Sequence, residues 1–349
     1  MKVARIPLDL IEASPRDTMS RPLHDLRISV IDRCNFRCPY CMPEDQFAHD
    51  HKFLSKSDRL RFEEIRRIAR AFVANGVRKL RLTGGEPLLR RDLPVLIGML
   101  ADIPGIEDLA LTTNGVLLPR FAGRLRESGL QRLTISLDTL DAATFERMSG
   151  GRGDVAQVLA GIEAAEAAGF GPLKFNCVVM RGVNDDQVTD LVAHFRGTGH
   201  ILRFIEYMDV GTVNGWQDKR VVPSAELVER IGARWPLQIL EPSYRGEVAR
   251  RYRFADGAGE IGFISSVSVP FCGDCTRARL SADGKMYTCL FAANGYDLRN
   301  VVRRGVSDDE LVRLVARRWS ARGDRYSERR AELRAAGATN KIEMFSIGG

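Results

Sequence analysis

From about residue 25 the chain alternates short, strand-like apolar runs with longer stretches whose apolar positions recur at helical spacing. The pattern predicts strands over Leu26–Ile31, Lys79–Thr83, Asp108–Thr113, Arg132–Leu137, Leu173–Met180 and Ile201–Met208. Amphipathic helices are predicted between them, at Phe62–Asn75, Leu93–Leu100, Val155–Ala168 and Asp185–Phe195. About six βα repeats imply a parallel sheet, because parallel strands need crossover connections. Such a sheet is either open or curled into a full or partial barrel, and in each case functional groups gather at the C-terminal ends of the strands.

The alternation breaks after Met208. Gly211–Gly215 reads as a loop and Ala225–Gly232 as a helix. Tyr252–Ala255 and Ile261–Ser265 are hairpin-like, and the turn signal at Ser281–Lys285 separates Arg277–Leu280 from Met286–Cys289. Asp308–Trp319 is a further helix. The expected division is an extension over 1–20, an α/β domain over 21–222 and a smaller domain over 223–349.

Composition narrows the class. The 349 residues are 44% hydrophobic, enough for a sizeable core. No apolar run has membrane-spanning length, and Met1–Met19 lacks the apolar stretch of a signal peptide. A soluble cytoplasmic protein without a membrane partner is expected. The net charge is +7, carried by 44 Arg and 8 Lys against 45 acidic residues. That balance suits an anionic ligand, whether nucleotide, phosphate or nucleic acid.

The cysteines change the picture most. Clustered cytosolic cysteines point to metal or catalysis rather than disulfides. Six of the seven form two triads, Cys34/Cys38/Cys41 and Cys272/Cys275/Cys289. The seventh, Cys177, lies in an apolar run and is expected in the core. Structural zinc wants four protein ligands, for which His49 or His51 is the nearby candidate. Iron–sulfur clusters are usually held by four cysteines, so three leave one iron open to a ligand.

The run Cys34-Asn-Phe-Arg-Cys38-Pro-Tyr-Cys41, just past the first strand, resembles the cluster motif of radical S-adenosylmethionine enzymes. Thr83-Gly84-Gly85-Glu86-Pro87 after the second strand resembles that superfamily's segment contacting the methionine amino group. The resemblance implies a [4Fe–4S] cluster on Cys34, Cys38 and Cys41, with S-adenosylmethionine on its open iron. It assigns Tyr40, Gly85, Glu86, Ser136 and Met208 to the cosubstrate. Reductive cleavage of the sulfonium would release methionine and a 5′-deoxyadenosyl radical.

Phe271-Cys-Gly-Asp-Cys-Thr-Arg-Ala-Arg-Leu280 resembles the C-terminal motif of the GTP 3′,8-cyclase family, which opens molybdenum cofactor biosynthesis. The likeness runs from about Arg21 to Gly349 and includes Leu111-Thr-Thr-Asn-Gly115, Arg203-Phe-Ile-Glu-Tyr-Met-Asp-Val-Gly211 and the terminal Gly348-Gly349. It implies a second [4Fe–4S] cluster on Cys272, Cys275 and Cys289, GTP held by Arg27, Arg81, Thr112, Lys174, Arg277 and Arg279, and a tail in which Gly348 and Gly349 help arrange the cosubstrate. The implied reaction joins the ribose C3′ to guanine C8. Its product, 3′,8-cyclo-7,8-dihydroguanosine triphosphate, passes to cyclic pyranopterin monophosphate synthase. An external electron donor is required, and a homodimer is compatible with the sequence.

The strands give independent support for an anionic substrate. Arg27 shares a strand face with Ser29, Arg81 with Thr83, Lys174 with Asn176, and Arg277 with Arg279. Cations aimed into an interior cost free energy unless paired, and acidic partners are scarce in these strands. The expectation taken forward is an α/β protein: a partial, open parallel β/α barrel followed by a smaller α+β domain. Two rivals stand beside it. A peptide-modifying radical enzyme with an auxiliary cluster would usually carry more C-terminal cysteines. A zinc-bearing nucleic-acid-binding protein would show four-ligand sites and stacking aromatics, whereas aromatics are 7% here.

Overall fold

A computed structural model describes residues 14–47, 51–335 and 341–348. Six strands alternate with helices through the first two thirds of the chain: β1 (Asp25–Ser29), β2 (Lys79–Thr83), β3 (Asp108–Thr113), β4 (Arg132–Ser136), β5 (Lys174–Val179) and β6 (Ile201–Glu206). Helices α1 (Phe62–Ala74), α2 (Leu93–Ala101), α3 (Leu118–Glu127), α4 (Ala142–Ser149), α5 (Val155–Ala167) and α6 (Val188–Phe195) lie between them in sequence. The predicted strands fall on these six. Helices α3 and α4 went unpredicted; α3 buries only Leu118, Ala122 and Leu125, a sparse apolar stripe interrupted by charged residues.

The rest of the chain adds α7 (Ser224–Arg234), β7 (Leu237–Ile239), β8 (Arg250–Phe254), β9 (Glu260–Ile264), β10 (Arg277–Leu280), β11 (Lys285–Tyr287) and β12 (Tyr296–Asp297). It ends in α8 (Leu298–Arg303), α9 (Asp308–Ser320), α10 (Arg330–Ala335) and α11 (Met344–Ile347). All its strands join one open sheet, in the order β12-β11-β10-β1-β2-β3-β4-β5-β6-β9-β8-β7. The predicted hairpins form: β8 pairs antiparallel with β9, and β10 with β11. Their inner strands then dock parallel on the ends of the βα array, β10 on β1 and β9 on β6. The parallel run is therefore longer than the six strands that the sequence predicts.

Strand alternation sorts the side chains. Leu26, Ile28, Leu80, Leu82, Phe175, Cys177, Leu202 and Phe204 are buried in a core shared with Ile65, Ile68 and Phe72 of α1. Residues of opposite parity, Arg27, Arg81, Lys174, Asn176 and Arg203, line a cavity on the other face. Cys177 is fully buried in the core, as expected. Among the described residues no helix is long and apolar enough to cross a membrane.

Glu206 fastens one flank of the sheet. Its carboxylate accepts from the Ser224 N–H (2.8 Å) and hydroxyl (3.1 Å), the N–H groups of Val267 and Ser268 (2.8 Å each), and the Ser268 hydroxyl. Glu206→Ala strands the buried Ser224 donors and frees the part-buried Val267 and Ser268 N–H groups, and is expected to cost roughly 3 kcal/mol of stability. A urea midpoint unchanged from the parent would contradict this.

Candidate active site

The first cysteine triad sits on the loop that leaves β1. The tight turn at Cys38 has its carbonyl accepting from the N–H groups of Cys41 (3.0 Å) and Met42 (2.9 Å). Arg37 is buried, and its Nη1 donates to the carbonyls of Cys34 and Phe36, both at 2.9 Å. The Phe36 N–H points at Cys34 Sγ, 3.4 Å away.

The glycines after β2 explain how this loop is seated. The Gly85 N–H donates to the Ile31 carbonyl and the Glu86 N–H to the Arg33 carbonyl, both at 2.8 Å. A Cβ on Gly84 would overlap the Ile31 carbonyl, and one on Gly85 the Arg33 carbonyl, so only glycine permits this backbone approach. Glu86 turns inward and accepts from Leu88 N–H (3.0 Å), Thr113 Oγ1 (2.7 Å) and Asn114 N–H (2.8 Å). Burial lifts its carboxyl to about 7 despite these bonds. Asn114 Nδ2 donates to Asn35 Oδ1 at 2.8 Å, tying the end of β3 to the cysteine loop. The Thr-Thr-Asn-Gly run thus welds the strand ends together.

The other residues assigned to the cosubstrate stand at the same end of the sheet. Ser136 closes β4 and pairs in register with Asn176, while Met208 follows β6 and lines the cavity. The Tyr40 hydroxyl donates to Asp138 Oδ2 at 2.7 Å. Burial raises the Asp138 carboxyl to about 6, against bonds from the Val178 N–H and Tyr40.

The second triad stands at the cavity. Docking of β10 on β1 sets Arg279 beside Arg27, and Arg27 beside Arg81 on β2. Thr112, Lys174, Arg277 and all three cysteines of the second triad also line the cavity. Nine Lys and Arg side chains face it against three acids, Asp25, Glu247 and Asp324. The cations strain against one another. Burial, then Arg279, Arg277 and Arg81, hold Arg27 well below the usual arginine range. Lys174 is brought down to about 8 and Arg203 to about 9, in both cases first by burial and then by neighbouring cations. Arg81 Nη1 donates to Thr112 Oγ1 (3.1 Å) and Thr134 Oγ1 (2.9 Å), and Arg132 pairs with Asp108.

The two triads differ electrically. Burial pushes the Cys34 thiol up to about 12, aided by Glu86, and Cys38 and Cys41 also rise through burial. Burial likewise takes Cys289 to about 12. At Cys275 burial is outweighed by the guanidiniums of Arg277 and Arg322, which bring the thiol down to about 6. All six thiols are free.

Among the described residues no three His, Cys, Asp or Glu side chains are arranged to hold a single metal ion. A cubane cluster makes a different demand, since each sulfur binds its own iron and the three need not converge on one point. Three thiols without a fourth protein ligand fit a [4Fe–4S] cluster with one open iron. His49 lies outside the described residues. His51 packs edge-on to Phe47 and Phe53, with ring centroids 4.6 Å from each.

Residues 28–195 match the model of the Radical SAM superfamily, and residues 200–328 that of Molybdenum Cofactor Synthesis C. A GTP 3′,8-cyclase from Xanthomonas axonopodis pv. citri is 61% identical over 97% of this chain and 99% of its own length. One from Acidothermus cellulolyticus is 58% identical over 90% and 88%, and one from Staphylococcus carnosus 46% over 95% and 98%. The chain belongs to the GTP 3′,8-cyclase family. Its fold is also that of Streptococcus suis SuiB, with a TM-score of 0.54 at 16% identity over 78% of this chain and 61% of that one. As a radical S-adenosylmethionine protein, this family member takes that cosubstrate and a [4Fe–4S] cluster.

In this cyclase-family chain the C-terminal tail enters the interior, where Ile347 and Gly348 are buried. Arg279 Nη1 donates to the Gly348 carbonyl and to that of Ile347 at 3.4 Å. The arginine that meets these tail carbonyls is thus one of the residues assigned to GTP. Gly348 has φ +70°, and a Cβ there would overlap the Thr83 side chain. Gly349 lies outside the described residues.

All six residues assigned to GTP line one cavity. Arg203 and Lys79 line it too, and sequence reasoning assigned them no role. The signal was present: Arg203 is a basic residue in an apolar strand, as Lys174 is. Gly348→Ala combines strain at positive φ with collision against Thr83, so it is expected to expel the tail and leave iron content unchanged. The 5′-deoxyadenosine yield per chain should fall roughly tenfold to 100-fold, on the scale of a misplaced reactant. By contrast Cys177→Ala should keep full iron content and cost about 1 kcal/mol of stability; iron loss in that variant would make Cys177 a ligand.

Proposed function

We infer that this chain converts GTP to 3′,8-cyclo-7,8-dihydroguanosine triphosphate, the first step of molybdenum cofactor biosynthesis. The observation that carries the reading is the cationic cavity lined by the second cysteine triad and by Met208, in a chain 61% identical to a GTP 3′,8-cyclase. Residues 21–222 activate the cosubstrate, and residues 223–349 carry a second [4Fe–4S] cluster on Cys272, Cys275 and Cys289. When bound, the first cluster and S-adenosylmethionine would supply a 5′-deoxyadenosyl radical that takes the 3′ hydrogen; joining the ribose C3′ to guanine C8 then takes up one further electron, from the external donor, and a proton.

The protein's own residues bind and orient. Cys34, Cys38 and Cys41 hold the first cluster. Gly85, Ser136, Met208 and Tyr40 surround the cosubstrate, and Glu86 acts by holding the glycine turn against the cysteine loop. Arg27, Arg81, Lys174, Arg277 and Arg279, joined by Arg203 and Lys79, meet the triphosphate with forked guanidiniums and ammonium point charges. Thr112 braces Arg81 at 3.1 Å. An anion in the cavity relieves the mutual repulsion of these cations, which is why they tolerate burial.

An external electron donor and transfer of product to cyclic pyranopterin monophosphate synthase follow from the same reading. A cytoplasmic setting suits six clustered free thiols, and a homodimer is compatible with it. The direct test is anaerobic incubation of reconstituted protein with S-adenosylmethionine, dithionite and GTP, followed by mass analysis. A cyclised nucleotide and 5′-deoxyadenosine are expected together; 5′-deoxyadenosine with intact GTP overturns the substrate.

GTP affinity should also depend on pH. Lys174, at about 8 in the free protein, binds the triphosphate as the cation, so its pKa rises in the complex. Affinity is full below pH 8 and falls above it, by at most about tenfold per pH unit for one proton. Lys174→Arg should flatten that fall, as measured by equilibrium dialysis with labelled GTP.

A further inference from the structure

The segment before β1 has no part in the cavity, yet it reaches the second cysteine triad. Asp17 is buried and binds four donors. Its Oδ1 accepts from the N–H groups of Met19 and Arg21, both at 2.9 Å. Its Oδ2 accepts from Arg21 Nε at 2.5 Å and Arg322 Nη1 at 3.3 Å. Each guanidinium then continues to a cysteine. Arg21 Nη1 donates to the Cys272 carbonyl at 2.6 Å, and Arg322 Nη1 to the Cys275 carbonyl at 2.7 Å. Trp319 braces the pair, its indole N–H donating to the Arg21 carbonyl at 3.0 Å and its ring lying 4.6 Å from the Arg322 guanidinium.

The loop needs such support. Cys272–Asp274 is a single 3-10 turn, and its two backbone bonds, Asp274 N–H to the Phe271 carbonyl and Cys275 N–H to the Cys272 carbonyl, are both long at 3.4 Å. Two charge-assisted bonds to adjacent ligand carbonyls fix that turn more firmly than its backbone does. Asp324 completes the network: its carboxylate pairs with Arg322 at 3.4 Å and its carbonyl accepts from Arg21 Nη1 at 3.0 Å, so the two guanidiniums stand against two carboxylates and the clamp is a balanced ion-paired unit. Arg21 Nη2 is buried without a hydrogen-bond partner among the described residues, a donor left over for an electron-rich acceptor.

We propose that Asp17, Arg21 and Arg322 are positioning residues for the second cluster, an ion-paired clamp that sets Cys272 and Cys275 in place. The proposal rests on the reading that the second triad holds a cluster. It gives the stretch just before β1, where the expected extension meets the α/β domain, a task at a site more than 250 residues away, the separation of Arg21 and Cys272 being 251.

The test uses the full chain carrying Cys34→Ser, Cys38→Ser and Cys41→Ser, reconstituted anaerobically so that only the second site can load. Iron per chain, release to a chelator and the midpoint potential by electron paramagnetic resonance are measured with and without Asp17→Asn. The parent should hold about four irons. Asp17→Asn should weaken their retention 10- to 100-fold, roughly the cost of losing an outer partner of a metal ligand, and shift the potential. Arg322→Met should match it, and Arg322→Lys should restore part of the retention.

If the parent holds no iron, the second-cluster reading fails and the clamp with it. If the parent holds iron and Asp17→Asn retains it equally at the same potential, the clamp alone is overturned. A companion chain carrying Cys272→Ser, Cys275→Ser and Cys289→Ser separates positioning from general folding. Asp17→Asn should leave its first cluster intact, and equal loss there reduces the network to an ordinary fold element and overturns the proposal.

Discussion

Burying like charges beside one another is the constraint on which this structure turns. Arg279, Arg27 and Arg81 stand side by side on adjacent parallel strands, with Lys174 and Arg203 further along the same face. Such a row is costly in a low-dielectric interior unless a polyanion completes it. The opposite face is mainly apolar, with Glu206 and Thr113 at its strand ends, and the helices pack on it to form the core. One alternation in five- and six-residue strands therefore supplies both the stability and the substrate chemistry.

The two cysteine triads are seated by different means. The first loop is held by backbone bonds to the glycine turn after β2, by Arg37 and by Asn114, all within the βα array. The second is held by side chains from the two ends of the chain, Arg21 before β1 and Arg322 after α9. Local ladders position the first triad, whereas charge-assisted bonds across the chain position the second. The guanidiniums that depress Cys275 are Arg277 and Arg322, whereas Cys289 of the same triad is raised by burial and Asp324.

The tail connects these regions. Lys341 pairs with the buried Asp209 at 2.9 Å, and Glu343 accepts from the N–H (2.8 Å) and hydroxyl (2.7 Å) of Thr212. These bonds hold the tail at the mouth of the array, so Gly348 reaches Arg279 as a thin backbone strand. Arg279 thereby touches the tail while lining the cavity, which couples chain-end position to the charge row.

The sequence by itself determined the six βα strands, the hairpins and the two triads, because each depends on short-range signals: alternation, turn residues and spacing. It also showed that Arg27, Arg81 and Lys174 share strand faces with polar neighbours. Docking of β10 on β1 and β9 on β6 was not legible, since a hairpin signal says which strands pair locally but not which edge accepts them. That docking alone put Arg277, Arg279 and the second triad onto the cavity. Nor could the sequence show that Glu86 turns inward, that Arg279 meets the tail, or that Asp17 bridges Arg21 and Arg322. Each of these depends on distance between segments far apart in the chain, and only the closed packing of the tertiary structure fixes such distances.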